Sequence, residues 1–251
     1  FGDLISGNNS GAGAGNRTRG IQAAGSTEPG GVNVIQYVTI ASTGDATDFG
    51  DVGYTAYPGA VNNQTRLVYS GGESPVSPNP KLNNIEYITF STTGNGVDFG
   101  DQVTLVNSPY GVSSPTRGVF MGGSGATPVV QMIEIATTGN SQSFGDLSSA
   151  LYNVRGTITN GHRGVMAGGV ISGRVNNIEY LSIQSGGNSM DFGDLTDARD
   201  PSNLSSTIRG VMCSGDYPAN VNIMDYIQIM TTGNAVDFGD CNKSSASSTA
   251  S

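Results

Sequence analysis

The chain has 251 residues, a net charge of −9 at neutral pH and 38 glycines, while hydrophobic residues make up only 36% of it. The phosphate backbone of nucleic acids repels such an acidic surface, so nucleic-acid binding is disfavoured. No run approaches the roughly 20 apolar residues that a membrane-spanning helix needs, which argues against membrane insertion. The chain starts at Phe1 rather than Met, so we expect residues upstream of it.

The tripeptide Phe-Gly-Asp occurs six times, at intervals of 45 to 50 residues. Self-similarity at this period is typical of a propeller or a solenoid. We therefore predict one all-β domain over residues 1–251, in which the terminal segments 1–10 and 241–251 either close the ring or are trimmed ends. The repeats between them cover about 11–51, 59–101, 110–146, 156–194 and 203–240.

The fourth repeat shows how each unit divides into four strands, named a to d. Strand a is predicted over 156–159, with Asn160-Gly161 as a hairpin turn that tolerates positive φ. Strand b follows over 163–167 and ends in a Gly-Gly pair. After a variable loop, strand c is predicted over 178–183 and strand d over 191–195. No part of the unit has the 3.6-residue period of a helix.

The turn between strands c and d and the pattern of strand c favour a propeller. A glycine that stands five residues before each Phe of the motif predicts positive φ in the turn; these are Gly44, Gly94, Gly139, Gly187 and Gly233. Strand c is apolar on both faces, since Ile85 and Tyr87 alternate with Ile88 and Phe90. Small sheets covered on both sides are typical of radially stacked blades. A β-solenoid is the alternative, although its repeats are usually shorter.

The order of these features resembles a Kelch repeat, with the Phe of Phe-Gly-Asp in place of the Kelch Trp. The sequence more closely resembles tandem Kelch-like repeats in virion-associated proteins of tailed bacteriophages, notably those of marine hosts. The segments that carry this resemblance are TRGVFMGG, NIEYITF, STTGN and VDFGD. The resemblance covers nearly the whole chain. It implies a Kelch-like β-propeller of four-stranded antiparallel blades, with five complete repeats and a ring that closes at five or six, located in the extracellular phage particle.

Two charged positions recur in every repeat, and we interpret them as structural. They would hold the blades in register as ion pairs or turn caps. A ring of carboxylates that binds a cation is the alternative, but the unit has no D-x-D-x-D run to supply the six or more oxygens that Ca²⁺ needs. The residues are Arg19, Arg66, Arg117, Arg163 and Arg209, with Asp3, Asp51, Asp101, Asp146, Asp194 and Asp240 of the motif.

Residues that carry catalytic chemistry are few. His162 is the only histidine, and its place in a predicted turn favours a solvated side chain. Cys213 and Cys241 do not form a disulfide framework, so the cysteines indicate neither a reducing nor an oxidising compartment. No nucleophile elbow and no phosphate-binding loop occurs. We therefore predict a chain that is not an enzyme, with no catalytic residue, no metal and no cofactor.

The b–c and d–a loops lie on one face of an up-and-down blade, and the b–c loop carries nearly all of the length variation between repeats. Variable loops on a rigid scaffold usually carry binding function, and tyrosine is favoured at interfaces. The alternative is that these tyrosines only pack the loops onto the blades. The long b–c loop over 73–84 is the best single candidate. The predicted partner-binding residues are Tyr54, Tyr57, Pro75, Pro78, Pro80, Tyr110, Tyr152 and Tyr217.

These features predict a virion structural or decoration protein whose propeller docks on capsid or tail proteins. The alternative is a receptor-binding module, an adhesin, which contacts a glycan or protein on the host surface. The absence of Trp weakens the hypothesis that such a module binds a glycan. An enzyme is a third hypothesis, and the residues support it least.

Overall fold

A computed structural model describes residues 1–7, 10–27, 30–53, 57–74, 80–106, 108–123, 127–152, 154, 157–216 and 219–245 of the chain. Over these residues it contains strands and turns, and no helix long and apolar enough to cross a membrane. The strands form five four-stranded antiparallel sheets, which are the blades of a β-propeller. The predicted all-β propeller fold is confirmed.

Blades 1 and 2 occupy the first part of the chain. Blade 1 has the strand order β1-β2-β5-β6, and its b–c loop carries the short pair β3-β4. Its strands are β1 (Ala12–Gly15), β2 (Arg19–Ala23), β3 (Ser26–Thr27), β4 (Gly30–Gly31), β5 (Val34–Thr39) and β6 (Thr47–Asp51). Blade 2 consists of β7 (Gly59–Asn62), β8 (Arg66–Ser70), β9 (Asn84–Thr89) and β10 (Val97–Asp101).

Blades 3 to 5 have the same order of four consecutive strands. Blade 3 consists of β11 (Tyr110–Ser113), β12 (Arg117–Met121), β13 (Val129–Glu134) and β14 (Gln142–Asp146). Blade 4 consists of β15 (Thr157–Thr159), β16 (Arg163–Ala167), β17 (Asn177–Ser182) and β18 (Met190–Asp194). Blade 5 consists of β19 (Ser202–Ser205), β20 (Arg209–Cys213), β21 (Val221–Gln228) and β22 (Val236–Ser245).

The chain forms two compact units, each with its own apolar core. The first unit comprises Phe1–Gly111, Pro115–Phe120 and Gln131–Ser143, and the second comprises Val112–Ser114, Met121–Val130 and Phe144–Ser251. Buried side chains of the first unit include Ile35, Phe49, Leu67, Phe90, Val61, Ile85 and Phe99. Those of the second include Ile158, Ile178, Phe192, Met212 and Ile229. Burial of such apolar area is the main favourable term in the folding of each unit.

Strand d contains a β-bulge at the Phe of the motif, and blade 2 illustrates it. Asp98 pairs with Glu86 and Gly100 pairs with Ile85, so Phe99 is the extra residue. The Phe99 ring is buried. Gly100 has a φ of 144°, a conformation that glycine adopts without the steric cost of a Cβ atom. The bulge therefore explains why Phe is followed by Gly in strand d.

The bulge of one blade holds the c–d turn of the next blade. The Phe49 carbonyl accepts a hydrogen bond from the Gly94 amide at 2.7 Å, and the Asp51 carbonyl accepts one from Gly96 at 2.7 Å. The Asp51 amide donates to Asn95 Oδ1 at 3.0 Å. The same carbonyl–amide contact joins Phe99 to Gly139, Phe144 to Gly187 and Phe192 to Gly233.

The glycines of these turns have φ values between 110° and 152°, which confirms the predicted positive φ. The turn needs this conformation so that its backbone can follow the bulged strand of the preceding blade.

The N-terminal Phe-Gly-Asp is not part of a described strand, yet it docks on blade 1 as a strand d docks on the next blade. The Gly2 amide donates to the Gly44 carbonyl at 3.0 Å, and the Ala46 amide donates to the Asp3 carbonyl at 2.9 Å. Asp45 Oδ1 accepts from the Asp3 amide at 3.0 Å, in the place that asparagine takes in the later blades. The two bonds of Asp3 match those between blades, whereas Gly44 accepts a bond from Gly2 instead of donating to the Phe carbonyl. This segment therefore reproduces part of the contact between blades.

The fourth repeat allows the predicted strands to be compared with the observed ones. Strand b is as predicted, and strands c and d each begin one residue earlier than predicted. The predicted a–b hairpin turn is present, one residue later than predicted: β15 ends at Thr159, β16 begins at Arg163, and the Asn160 amide donates to the Arg163 carbonyl at 3.3 Å across Gly161 and His162. Asn160 Oδ1 accepts from the amides of His162 and Arg163 and closes this loop. Gly156, predicted to begin strand a, lies outside the described residues.

Candidate functional site

A polar residue in the middle of strand c fixes the loop that precedes each blade. The five residues are Gln36, Glu86, Gln131, Glu179 and Asp225, and none is more than 9% exposed. Each accepts a hydrogen bond from a main-chain amide of the preceding d–a loop or, in blade 1, of the N-terminal segment. Because a buried polar group is costly unless it is hydrogen-bonded, these bonds define the loop conformation.

The loop from Gln102 to Val106, called the 102–106 loop below, is fixed from blade 3 by Gln131. Gln131 Oε1 accepts from the Thr104 amide at 3.0 Å, and its Nε2 donates to the Thr104 carbonyl at 2.7 Å. The Ser141 hydroxyl donates to Gln131 Oε1 at 2.8 Å and accepts from the Val103 amide at 2.8 Å. Both partners in this network are buried. The network holds the first half of the loop in one conformation.

Gln102 holds the second half of the same loop. Its Oε1 accepts from the Val106 amide at 2.6 Å, and its Nε2 donates to the Ser70 hydroxyl at 2.9 Å. Gln102, Val106 and Ser70 are all buried. The 102–106 loop is therefore anchored at both ends and at its centre.

Two apolar side chains of the 102–106 loop are exposed. Val103 is 59% exposed and Leu105 is 50% exposed, between the buried residues Gln102 and Val106. Exposed apolar area gains free energy when a partner covers it. A loop that is already ordered loses little conformational entropy on binding. The 102–106 loop is therefore the candidate partner-binding site of the first unit.

The two predicted partner-binding residues on the exposed surface of the described loops are Tyr57 and Pro80. Tyr57 has a φ of 63°, unusual for a residue with a Cβ atom, and its side chain is 37% exposed. Pro80 is exposed, and its carbonyl accepts from the Ser74 amide at 3.0 Å. Tyr54, Pro75, Pro78 and Tyr217 were also predicted, and they lie outside the described residues.

The other two predicted tyrosines are less accessible to a binding partner. Tyr110 is half-buried and begins strand β11, although it was predicted to lie in a d–a loop. Tyr152 is half-buried and exchanges two main-chain hydrogen bonds with Val170, at 3.0 and 2.9 Å. This bridge joins a d–a loop to the b–c loop of blade 4 within the second unit.

The repeated arginine stacks on the repeated tyrosine of strand c. In blade 2 the guanidinium of Arg66 lies 4.3 Å from the ring centroid of Tyr87, and Tyr87 packs edge-on against Phe99 at 6.0 Å. Arg66 Nη1 also donates to the Ile135 carbonyl of the next blade at 3.0 Å. Arg19 and Arg163 make the same stack and the same contact with the next blade. The arginine thus contributes a cation–π contact and an interblade hydrogen bond.

Blade 3 departs from this pattern because Met132 stands in the place of the tyrosine. Arg117 Nε there forms an ion pair with Glu134 Oε1 at 2.7 Å. The repeated aspartates make their interblade contact through the amide: Asp101 and Asp146 donate to Asn140 and Asn188, each at 3.0 Å. Their carboxylates are exposed.

Chemistry other than binding has few candidate residues in the described part of the chain. No group of three or more His, Cys, Asp or Glu side chains there could hold a metal ion. His162 is exposed in its turn, and Cys213 and Cys241 are free and half-buried. Neither a protein-family model nor a curated protein matches this chain.

Tyr69 provides a test of the buried loop anchors. Its hydroxyl donates to Glu86 Oε2 at 2.6 Å, and the same oxygen accepts from the Gly53 amide at 3.0 Å. Burial, and then the contact with Glu86, raises the pKa of the Tyr69 phenol above its usual 10. Unfolded chains lose this proton near pH 10 while folded chains keep it, so Tyr69 reduces stability progressively above that pH.

We expect Tyr69→Phe to lower the free energy of unfolding at pH 7 by about 1 to 3 kcal/mol, because Glu86 loses a donor. Between pH 10 and 11.5 the variant should lose less stability than the unmodified chain does. Urea unfolding at several pH values measures both effects. Tyr37→Phe, at a half-buried tyrosine of the same unit, is the control. Parallel alkaline slopes for Tyr69→Phe and the unmodified chain would contradict this account.

Proposed function

We propose that the chain is a non-enzymatic structural or decoration protein of a tailed-phage virion, which docks on capsid or tail proteins through its b–c and d–a loops. The resemblance of its repeats to Kelch-like repeats of virion-associated proteins supports a location in the phage particle. The exposed pair Val103 and Leu105, at 59% and 50%, supports the loop face as the docking surface.

The 102–106 loop is held in one conformation by buried side chains, which supports a role in docking. Two glutamines and a serine, all buried, hold a short loop whose outward side chains are apolar. Val103 and Leu105 stand two residues apart on one fixed loop, so they present exposed apolar side chains together in a defined arrangement that a partner can cover. Tyr57 adds an exposed aromatic side chain on another d–a loop of the same unit.

We expect the double variant Val103→Ser, Leu105→Ser to bind virions about 30-fold more weakly than the unmodified chain, which corresponds to the loss of about 2 kcal/mol at an interface anchor. The assay is co-sedimentation of labelled chain with particles of the phage that encodes it, after the resident copies are removed. Urea unfolding should change little, because both side chains are already exposed.

The matched control is Val97→Ser in strand β10, because Val97 is 50% exposed in the same unit but lies outside the loops. It should bind as the unmodified chain does. Equal loss of binding in the control and the double variant would contradict the proposed surface. Binding to host cells but not to depleted particles would instead favour the receptor-binding module.

A further inference from the structure

The outer side of blade 5, made by Leu204, Arg209, Phe238, Gly239 and Asp240, is exposed where the other blades are covered. We call this surface the blade 5 face. Phe238 is 50% exposed, whereas the corresponding phenylalanines of blades 1 to 4 are at most 8% exposed. Leu204 is 37% exposed, whereas its counterparts in blades 2 to 4, Val61, Val112 and Ile158, are at most 3% exposed.

The backbone of the blade 5 face has the form that receives a c–d turn in the other blades. Strand β22 has the same bulge, and Gly239 has a φ of 125°. A Cβ atom placed on Gly50, Gly100, Gly145 or Gly193 would clash with the turn of the following blade. One placed on Gly239 would meet no described atom within 4 Å. The receiving surface is therefore formed and uncovered in the described part of the chain.

Arg209 is also placed as in the other blades but is not covered by a following blade. It stacks on Tyr226 at 4.8 Å, as the arginines of blades 1, 2 and 4 stack on their tyrosines. In those three blades the arginine also donates to a main-chain carbonyl of the next blade. Arg209 is exposed.

We propose that the blade 5 face binds one further blade of this same repeat type, supplied by polypeptide that is not among these 251 residues. Its c–d turn would donate amides to the Phe238 and Asp240 carbonyls, and its turn asparagine would accept from the Asp240 amide. A carbonyl at the end of its strand c would accept from Arg209. The occupant is thus defined by a contact that this chain already makes between its own blades.

A second copy of the chain does not fit this face as well. Each of its c–d turns already has a receiving strand: the turn at Gly44 holds the N-terminal segment, and the turns at Gly94, Gly139, Gly187 and Gly233 hold the preceding blades. A second copy would have to break one of these contacts before it could bind. The N-terminal segment also shows that the Asp part of the contact forms with a Phe-Gly-Asp that is not part of a described strand.

The test extends the full chain at its C-terminus by a second copy of the sequence of residues 157–195, and follows amide hydrogen exchange. We expect exchange at Asp240 to slow at least about tenfold in the extended chain, as a new hydrogen bond forms. Arg209→Gln should lower the melting temperature of the extended chain more than that of the unextended chain. The control replaces the added copy of Asn188 by Ala, which should return Asp240 to fast exchange and leave the added strands protected.

Unchanged exchange at Asp240 in the extended chain would overturn the proposal. A second measurement covers the case in which the added repeat does not fold. Sedimentation of the unextended chain should show a monomer over a wide concentration range. Self-association that Phe238→Asp abolishes would make a second copy the occupant, and would also overturn the proposal.

Discussion

Gly100→Ala should destabilise the first unit by at least about 3 kcal/mol, a large part of the 5 to 15 kcal/mol that holds a typical domain together. Two effects add. The φ of 144° is a conformation that a residue with a side chain adopts at a cost of about 1 to 3 kcal/mol. The new Cβ atom would also clash with the carbonyl group of Gly139, which lies in the turn that docks on this bulge.

Gly239→Ala is the matched control, because Gly239 has the same place in the motif and a φ of 125° but no described atom in the way of a Cβ. It should show only the conformational cost. The difference between the two variants in urea unfolding therefore measures the packing of turn against bulge. If both cost the same, the interblade contact contributes little and the motif is conserved among the repeats for its bulge alone.

Much of the fold could be predicted from the sequence because each blade repeats the same local solution. The glycine before each motif predicted positive φ in the c–d turn, and the apolar faces of strand c predicted sheets covered on both sides. The a–b turn was predicted from Asn-Gly, which is typical of two-residue hairpins, and its two central residues, Gly161 and His162, lie one position later. The asparagine side chain also accepts from the amides of His162 and Arg163 and closes the turn, two hydrogen bonds that the dipeptide does not reveal.

The candidate site was harder to predict. Tyrosines and prolines pointed to other residues of the b–c and d–a loops, and Val103 and Leu105 look in sequence like residues that pack inward. Their exposure follows from Gln131 and Ser141, which fix the loop from the next blade. Gln131 lies 27 residues after its partner Thr104, and Ser141 lies 38 residues after its partner Val103. A visible signal was present: a polar residue interrupts the apolar strand c at one position in all five repeats. Such a residue needs a buried partner.

Asp225→Ala should destabilise the second unit by about 3 to 5 kcal/mol, because it leaves the buried guanidinium of Arg199 without its counter-charge. Asp225 is the polar residue of strand c in blade 5, and neither it nor Arg199 is exposed at all. Arg199 Nη2 lies 2.9 Å from Asp225 Oδ2. Thr196 donates its amide and its hydroxyl to the same carboxylate, at 3.1 and 2.7 Å, so the variant also frees the d–a loop before blade 5.

The double variant Asp225→Ala, Arg199→Met separates the charge from the loop contact. Removing both charges should recover part of the loss, since a buried pair replaced by apolar groups is often close to neutral. The remaining deficit is the cost of the two lost bonds to Thr196, about 1 to 3 kcal/mol. Arg199 also donates to the Ser214 carbonyl at 2.9 Å. If that bond and its neighbours already satisfy the guanidinium, Asp225→Ala and the double variant will unfold at the same urea concentration, and the ion pair is not what stabilises this unit.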